Sequence, residues 1–394
     1  MIVHSSNPNI FMFATSELTQ DAFLCWVLDG LNYPDCEIYP FARGFLDMLL
    51  QQTTDQVHMM HDFSSSDVYG VEIARQANHI DILATLKIRN GYGERTQKLI
   101  IEDKTFTSPH SNQLVRYREQ HEHDKPICIY YKTGFLFNEH EYARHYGYAS
   151  IHKHNMIHLM RKYANRIKSD IFMGYYGYLL QLQDEEEKIV SSIHRFINEG
   201  TGEIDKALER SEGQFMLMQL LMKSDSVITD AGKADSPSYI FDKITRGQNR
   251  DGSPWTQYTL LFFQGAEAVT SGAVDDVFED EIFYRIDKKN KGYYISLRQY
   301  NKTGFNNEKL EHRLPKLRQC FDKACQTVQN NRRKVAVMSG EPSGFPRFES
   351  PGNRGRFESE IALYYISDGR ELGNLCELMS EINEQFLLLV RNEF

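Results

Sequence analysis

The sequence lacks the features that mark membrane and secreted proteins. No stretch approaches the ~20 apolar residues that a membrane-spanning helix needs. Residues 1–10 have neither the basic start nor the apolar run of a signal peptide. The six cysteines include no CxxC pair and no regular spacing, which indicates reduced thiols rather than a disulfide framework. These absences predict a cytoplasmic protein without a membrane partner.

Motifs of two common enzyme classes are also missing. The sequence has no GxxxxGK(S/T) phosphate-binding loop. His154 and His158 are four residues apart, but no glutamate lies between them, which excludes the HExxH motif of metalloproteases. The net charge of -9 argues against a protein that coats nucleic acid through bulk positive charge. It is compatible with an enzyme that holds cations on local carboxylates.

Residues 10–150 carry the pattern of an α/β domain. Apolar residues at helical spacing and alternating apolar residues follow one another in the order helix, helix, three strands, helix and strand. The last helix can act as a crossover between the third and fourth strands, which favours a mixed sheet. The predicted helices cover 16–31, with Ser16 as the N-cap, 40–51 and 109–123, and the strands cover 68–75, 79–88, 98–104 and 126–131.

The rest of the chain is predicted to hold a helical region and then an α+β domain. Amphipathic stretches predict helices between residues 151 and 223, and a segment rich in Asp, Ser, Gly and Pro at 224–254 indicates a boundary. The predicted domains are therefore 1–150, 151–230 and 231–394. The predicted strands of the last domain are 256–263, 281–287, 293–300, 334–338 and 359–367, and its helices are 308–330 and 372–390.

Three charged residues on the predicted strands match the needs of phosphodiester hydrolysis. Glu102 and Lys104, two residues apart, share one face of the third strand, whereas Asp103 points to the other face. Asp81 begins the second strand and reaches the same pocket if the two strands pair. Carboxylate oxygens are ligands that Mg²⁺ prefers, and a nearby ammonium stabilises the charge that develops on a phosphate.

This pattern resembles the motif of the PD-(D/E)XK nuclease superfamily over about residues 10–135. Asp81 followed by Glu102-Asp103-Lys104 corresponds to the motif, and the predicted order of elements matches the fold of that superfamily. The proline of the motif is absent, since Ile80 precedes Asp81. Gln113 and Tyr117 are similar to the QxxxY feature of the RecB-like bacterial branch, and Glu17 and Glu72 resemble its additional acidic positions.

The resemblance implies a metal-dependent nuclease with Mg²⁺ as the ion and Mn²⁺ as a substitute. DNA is the implied substrate. A role in defence against foreign DNA is implied only by association with the family. The implied catalytic residues are Asp81, Glu102, Lys104, Gln113 and Tyr117. The implied metal ligands are Asp81, Glu102, the main-chain carbonyl of Asp103, Glu72 and Glu17.

Two alternative functions stay open on the sequence alone. One is a nuclease fold without activity that serves as a nucleic-acid-binding or scaffold subunit, against which the intact Asp81, Glu102 and Lys104 argue. The other is a nuclease directed at RNA, for which the sequence offers no discriminator. Nor does the sequence distinguish a homo-oligomer from a chain that works with a partner subunit. The C-terminal half is expected to decide substrate choice, because the core offers only a sheet edge and one helix.

Overall fold

The computed structural model describes residues 9–13, 17–105, 113–137, 139–201, 203–222, 244–263, 280–289, 292–301, 308–339, 346–349 and 358–393. The chain forms two units, residues 1–187 and 188–394. Helices from the predicted helical region at 151–230 occur in both units. None of the described helices is long and apolar enough to span a membrane.

The first unit is built on a mixed sheet that has five strands in the described residues. Their order in the sheet follows their order in the chain. The first two pairings are antiparallel and the last two are parallel. The strands are β1 (Val68–Ala77), β2 (Ile80–Asn90), β3 (Gly93–Lys104), β4 (Ile127–Lys132) and β5 (Ala149–His152).

Helices cover both faces of this sheet. One face packs against the first two helices and the start of the sixth, in a core that includes Phe23, Phe41 and Phe172. The opposite face packs against the third and fourth helices, in a smaller core that includes Leu114 and Ala143. The helices are α1 (Glu17–Asp29), α2 (Tyr39–Val57), α3 (Gln113–Gln120), α4 (Glu139–His145), α5 (Lys153–Tyr163) and α6 (Asp170–Glu199).

The alternation in β2 decides which face of the sheet carries Asp81. Ile82, Ala84, Leu86 and Ile88 are fully buried on the face that α1 and α2 cover. Each fully buried aliphatic side chain the size of leucine or isoleucine contributes ~1.5–3 kcal/mol, and a register slip of one residue would move them all to the opposite face, where the side chains of β2 are at most half-buried. The register is therefore strongly specified, and Asp81 lies on the other face.

The second unit contains an antiparallel sheet, with five strands in the described residues, and a helical layer. The strands are β6 (Ile244–Gln248), β7 (Pro254–Phe263), β8 (Asp280–Lys289), β9 (Gly292–Asn301) and β10 (Glu358–Tyr365). They lie in the order β10-β9-β8-β7-β6, and the unit's core includes Tyr284, Leu317 and Phe386. The helices are α7 (Ile204–Leu208), α8 (Ser211–Leu221), α9 (Glu308–Ser339) and α10 (Gly369–Glu393).

The predicted fold class, an α/β core with a mixed sheet followed by helical and α+β parts, is confirmed. The strand predicted at 334–338 is wrong, because these residues continue α9 to Ser339. A short apolar run does not by itself distinguish a strand from a helix. The short elements α4 and β5 were not predicted. Ser16 and the predicted helical residues 109–112 lie outside the described residues.

Candidate active site

Lys104 joins two carboxylates at the C-terminal end of β3, the central strand of the first sheet. Its Nζ lies 2.5 Å from Oε1 of Glu102 and 3.2 Å from Oδ2 of Asp81. Antiparallel pairing produces this arrangement, because the match of Ile82 with Ile101 sets Asp81 beside Glu102. The structure thus brings together the three residues that the sequence motif singles out.

Burial makes the charges of this cluster depend on one another. Glu102 is fully buried and Lys104 nearly so. Burial, together with the neighbouring charge of Asp81, raises the pKa of Glu102 to about 8 even though Lys104 opposes the shift. Burial lowers the pKa of Lys104, but the charges of Glu102 and Asp81 outweigh it and hold that pKa above its ordinary value. The lysine therefore stays an ammonium ion, and Glu102 binds a proton more readily than an exposed glutamate does.

Hydrogen bonds orient both oxygens of Asp81. Its Oδ2 accepts from the main-chain N–H of Asp103 at 3.0 Å and from Lys104. Its Oδ1 accepts from the Gln76 amide at 3.3 Å, and the same amide donates to Asp21 at 3.3 Å. Gln76 has a positive φ of 53°. The φ angles of Asn78 and His79, which follow it before Asp81, are also positive, at 53° and 71°. Such conformations are uncommon outside glycine and often occur at functional sites.

Helix α1 contributes a second row of polar residues to the site. The Glu17 carboxylate accepts from the main-chain N–H of Thr105 at 3.4 Å, and its charge helps to raise the pKa of Lys104. Asp21, one turn further along, is almost fully buried. Burial and then the charge of Asp81 raise the pKa of Asp21 to about 6. The helix therefore adds acidic groups beside the strand-borne cluster.

The Asp103 side chain lies on the opposite face of β3, as the sequence predicts. It is fully buried and accepts a hydrogen bond from the Gln20 amide of α1. Its burial, with the charge of Asp21, raises its pKa well above the ordinary value. The main-chain oxygen of Asp103 faces the cluster and accepts from Lys104 Nζ at 2.9 Å.

The donor set of the cluster fits a divalent ion of the magnesium type. Asp81 and Glu102 supply carboxylate oxygens and Asp103 a main-chain oxygen. Oε2 of Glu102 is a buried oxygen without a hydrogen-bond partner in the structure. Mg²⁺ commonly takes one or two carboxylates and completes its coordination with water and substrate oxygens. Within the described ranges, no group of three or more His, Cys, Asp or Glu side chains is arranged to hold an ion. The cluster would therefore have to share the ion with such non-protein oxygens.

The other predicted site residues lie at different distances from this cluster. Gln113 and Tyr117 share one face of α3, where the Gln113 amide donates to the Tyr117 hydroxyl at 3.0 Å. Tyr117 packs with Ile100 on the face of the sheet that carries Glu102.

Glu72 is paired with Thr85 in the sheet, four positions from Asp81 or roughly 13 Å along the strand. Its exposed carboxylate forms an ion pair with Lys87 at 2.7 Å, so the structure does not bring Glu72 to the cluster.

Sequence reasoning missed four polar residues that lie beside the cluster or behind its strand, namely Gln20, Asp21, Gln76 and Thr133. Gln20 and Asp21 follow Glu17 by three and four residues, so all three share one face of α1. That spacing was available in the sequence as a signal. Gln76 in the β1–β2 turn and Thr133 after β4 have no comparable signal, because only the tertiary fold brings them to the site.

Comparison with known proteins supports the same assignment. Residues 8–197 match the family model of the PD-(D/E)XK nuclease superfamily. The chain matches no curated protein and no solved structure. The matched segment includes the whole mixed sheet and the cluster of Asp81, Glu102 and Lys104. Residues 8–197, just under half of the chain, are thus similar to the PD-(D/E)XK nuclease superfamily.

Proposed function

We propose that this protein is a metal-dependent nuclease that hydrolyses phosphodiester bonds of DNA at the cluster of Asp81, Glu102 and Lys104. The observation that carries the proposal is the contact of one lysine ammonium with two carboxylates on adjacent strands. A strand-end lysine that served only as a surface charge would have no reason to be buried, yet this side chain is only 6% exposed. Such an arrangement suits a pocket in which the lysine ammonium balances the negative charge of neighbouring acidic groups.

Each member of the cluster has a distinct role in this proposal. Asp81 and Glu102, with the main-chain carbonyl of Asp103, would hold Mg²⁺, for which Mn²⁺ can substitute. When bound, the ion supplies Lewis-acid polarisation of the phosphate and lowers the pKa of a coordinated water. Lys104 places its ammonium group where charge develops on the phosphate and helps to orient the attacking water. Since its partners are carboxylates, the lysine is already positioned before substrate arrives.

Residues of the helices would position the substrate. Gln113 and Tyr117, joined by a hydrogen bond on α3, would orient nucleic acid, as in the RecB-like branch of the superfamily. Glu17, close to Thr105 at the end of β3, would act as an additional acidic group of the site. Glu72 is left out of the mechanism because its carboxylate pairs with Lys87.

Cleavage assays with matched lysine variants test this proposal. Plasmid DNA, linear duplex, single-stranded DNA and RNA are incubated with Mg²⁺, Mn²⁺ or EDTA. We expect cleavage of DNA with either ion and none with EDTA. Lys104→Ala should lower the rate ~10²–10³-fold, which is typical of the loss of one transition-state contact. Lys98→Ala is the control, because Lys98 lies on the same strand but donates to Thr85 at 2.8 Å.

Three outcomes would contradict the proposal in whole or in part. A wild-type protein that cleaves none of these substrates with either metal would support the binding or scaffold alternative. Full activity in a folded Lys104→Ala variant would remove Lys104 from the mechanism. Cleavage of RNA alone would retain the mechanism and change the substrate.

The setting of the reaction is part of the same proposal. We assign the nuclease to defence against foreign DNA on the basis of the family resemblance, and to the cytoplasm because its six cysteines form no disulfide framework. We also propose that residues 188–394 choose the substrate, because the nuclease family match ends at residue 197 and leaves almost all of this unit without a catalytic role. Photo-crosslinking of full-length protein to DNA tests this assignment. Crosslinked peptides confined to residues 1–187 would contradict it.

A further inference from the structure

The main chain of Asp103 contacts both partners in the candidate active site. Its N–H donates to Oδ2 of Asp81 at 3.0 Å, and its carbonyl accepts from Nζ of Lys104 at 2.9 Å. The peptide groups on either side of Asp103 therefore orient the aspartate and the lysine together. Strand β3 ends at Lys104. Its last residues pair with β4 on one side, but Asp103 lies beyond the last match with β2 on the other side. Contacts other than the β2 ladder must therefore hold these two peptide groups on that side.

The Asp103 side chain is held from the opposite face of the sheet. The Gln20 amide of α1 donates to its carboxyl group, and both side chains are buried, with exposed fractions of 3% for Gln20 and 0% for Asp103. A buried amide can present either its oxygen or its nitrogen to a neighbour. Here the neighbours of Gln20 Oε1 decide the orientation. The hydroxyl of Thr133 donates to it, and that of Tyr175 does so at 3.3 Å. The NH₂ group is thereby directed at Asp103.

Thr133 holds the same strand end in a second way. Its main-chain N–H donates to the carbonyl of Lys104 at 3.2 Å, while its fully buried side chain holds Gln20. The Tyr175 hydroxyl also contacts the Tyr131 hydroxyl at 3.1 Å. Four side chains thus meet behind the last two residues of β3. They come from α1, from β4, from the residue after β4 and from α6. We call Gln20, Thr133 and Tyr175 the Gln20 clamp.

We propose that Gln20 is a positioning residue for the nuclease reaction. It fixes the Asp103 peptide groups and, through them, the mutual placement of Asp81 and Lys104. This inference rests on the function proposed above. Active-site groups have to be held within about 0.5 Å of productive geometry, and a displacement of about 1 Å typically costs ~10²-fold in rate. A residue that touches no substrate can therefore control the rate through the strand.

Isosteric variants test the clamp without creating large cavities. Gln20→Met keeps the length of the side chain but removes its hydrogen bonds. Thr133→Val removes the hydroxyl that orients Gln20, whereas Thr133→Ser retains it. Gln214→Met is the control, because Gln214 is equally buried but bonds to the main-chain oxygens of Leu208 and Pro254 in the second unit.

We expect Gln20→Met and Thr133→Val to lower kcat ~10–100-fold with KM changed by less than about threefold. Thr133→Ser and Gln214→Met should retain kcat. Hydrogen–deuterium exchange provides a readout that does not depend on cleavage. Amides of residues 99–105 should exchange at least ~10-fold faster in the two clamp variants, while residues 82–88 of β2 keep their protection. A merely structural glutamine would loosen both segments equally.

The two proposals fail in different ways. If wild-type protein cleaves nothing, the proposed function fails, and the exchange experiment still tests whether the clamp holds β3. Wild-type kcat in a folded Gln20→Met variant would overturn the positioning role even in an active enzyme. Unchanged exchange of residues 99–105 in that variant would overturn the clamp itself.

Discussion

The buried carboxyl group of Asp21 should make the metal-free protein less stable at neutral pH than in mild acid. Only 1% of this residue is exposed. Burial and then the charge of Asp81 raise its pKa from 3.8 to about 6. The folded state thus favours the protonated form. The associated stability is fully present below about pH 4, declines as pH rises through 6, and is absent above that range.

The difference between the two pKa values sets the size of the effect. A pKa of about 6 instead of 3.8 corresponds to about 3 kcal/mol. Asp21→Asn removes the charge and keeps an oxygen that can accept from Gln76. We expect the variant to gain up to about 3 kcal/mol in free energy of unfolding relative to wild type between pH 4 and pH 7.5. Coupling to Asp103, which is also protonated more readily than usual, would reduce the gain.

Urea unfolding in EDTA at pH 4, 5, 6 and 7.5 measures this difference. Trp26 lies on α1 and reports on the first unit, and a Trp255→Phe background removes the signal of the second. Asp29→Asn, which alters a half-buried carboxylate on the same helix, controls for the loss of one negative charge. An equal stability difference between Asp21→Asn and wild type at all four pH values would refute the raised pKa of Asp21. A loss of stability of the variant relative to wild type as pH rises would refute it as well.

Two further predictions concern the metal site and the second unit. Because the pKa of Glu102 is raised to about 8 by burial, ion binding at Asp81 and Glu102 has to displace a proton. Titration calorimetry should therefore find Mn²⁺ affinity rising by up to ~10-fold per pH unit below pH 8, and an affinity that is flat from pH 6 to 8 would contradict the assignment. The Glu102→Gln variant should lose this pH dependence along with most of its affinity. In the second unit, the buried Tyr284 hydroxyl donates to Oδ1 of Asn383 at 2.6 Å. Tyr284→Phe should lower the free energy of unfolding by ~1–3 kcal/mol in urea titrations followed by Trp255 fluorescence, because it leaves a buried acceptor without its donor. Cleavage should be unaffected, and unchanged stability would show that the bond contributes nothing.

The part of the site that lies on paired strands could be predicted from the sequence. Alternation along β2 and β3 decides which face each side chain occupies, so the spacing of Asp81, Glu102 and Lys104 is enough to assign them to one pocket. The same rule predicts the opposite orientation of Asp103. The distance of Glu72 from Asp81 depends instead on the register of β1, and the sequence does not specify that register.

The contacts behind the strand could not be predicted in this way. Gln20 meets Asp103 across 83 positions of sequence and Thr133 across 113. Such contacts depend on how α1 packs against the end of the sheet, and local periodicity does not report packing between distant elements. The same limit explains the missed elements, since the four residues of β5 are too few for a clear alternation. The error at 334–338 is of a different kind, because an apolar run suits either structure.

The hairpin of β2 and β3 has a consequence for how the protein acquires its site. Asp81 and Glu102 are brought together by pairing of two consecutive strands, and short loops close with little loss of chain entropy. The Gln20 clamp instead needs segments from both ends of the first unit, including Tyr175 of α6. Since domains are made and folded from the N-terminus, a growing chain can assemble the two acids long before it can lock them. Pairing of two neighbouring strands therefore brings the carboxylates together, whereas the contacts that hold them rigidly form only when the first unit is complete.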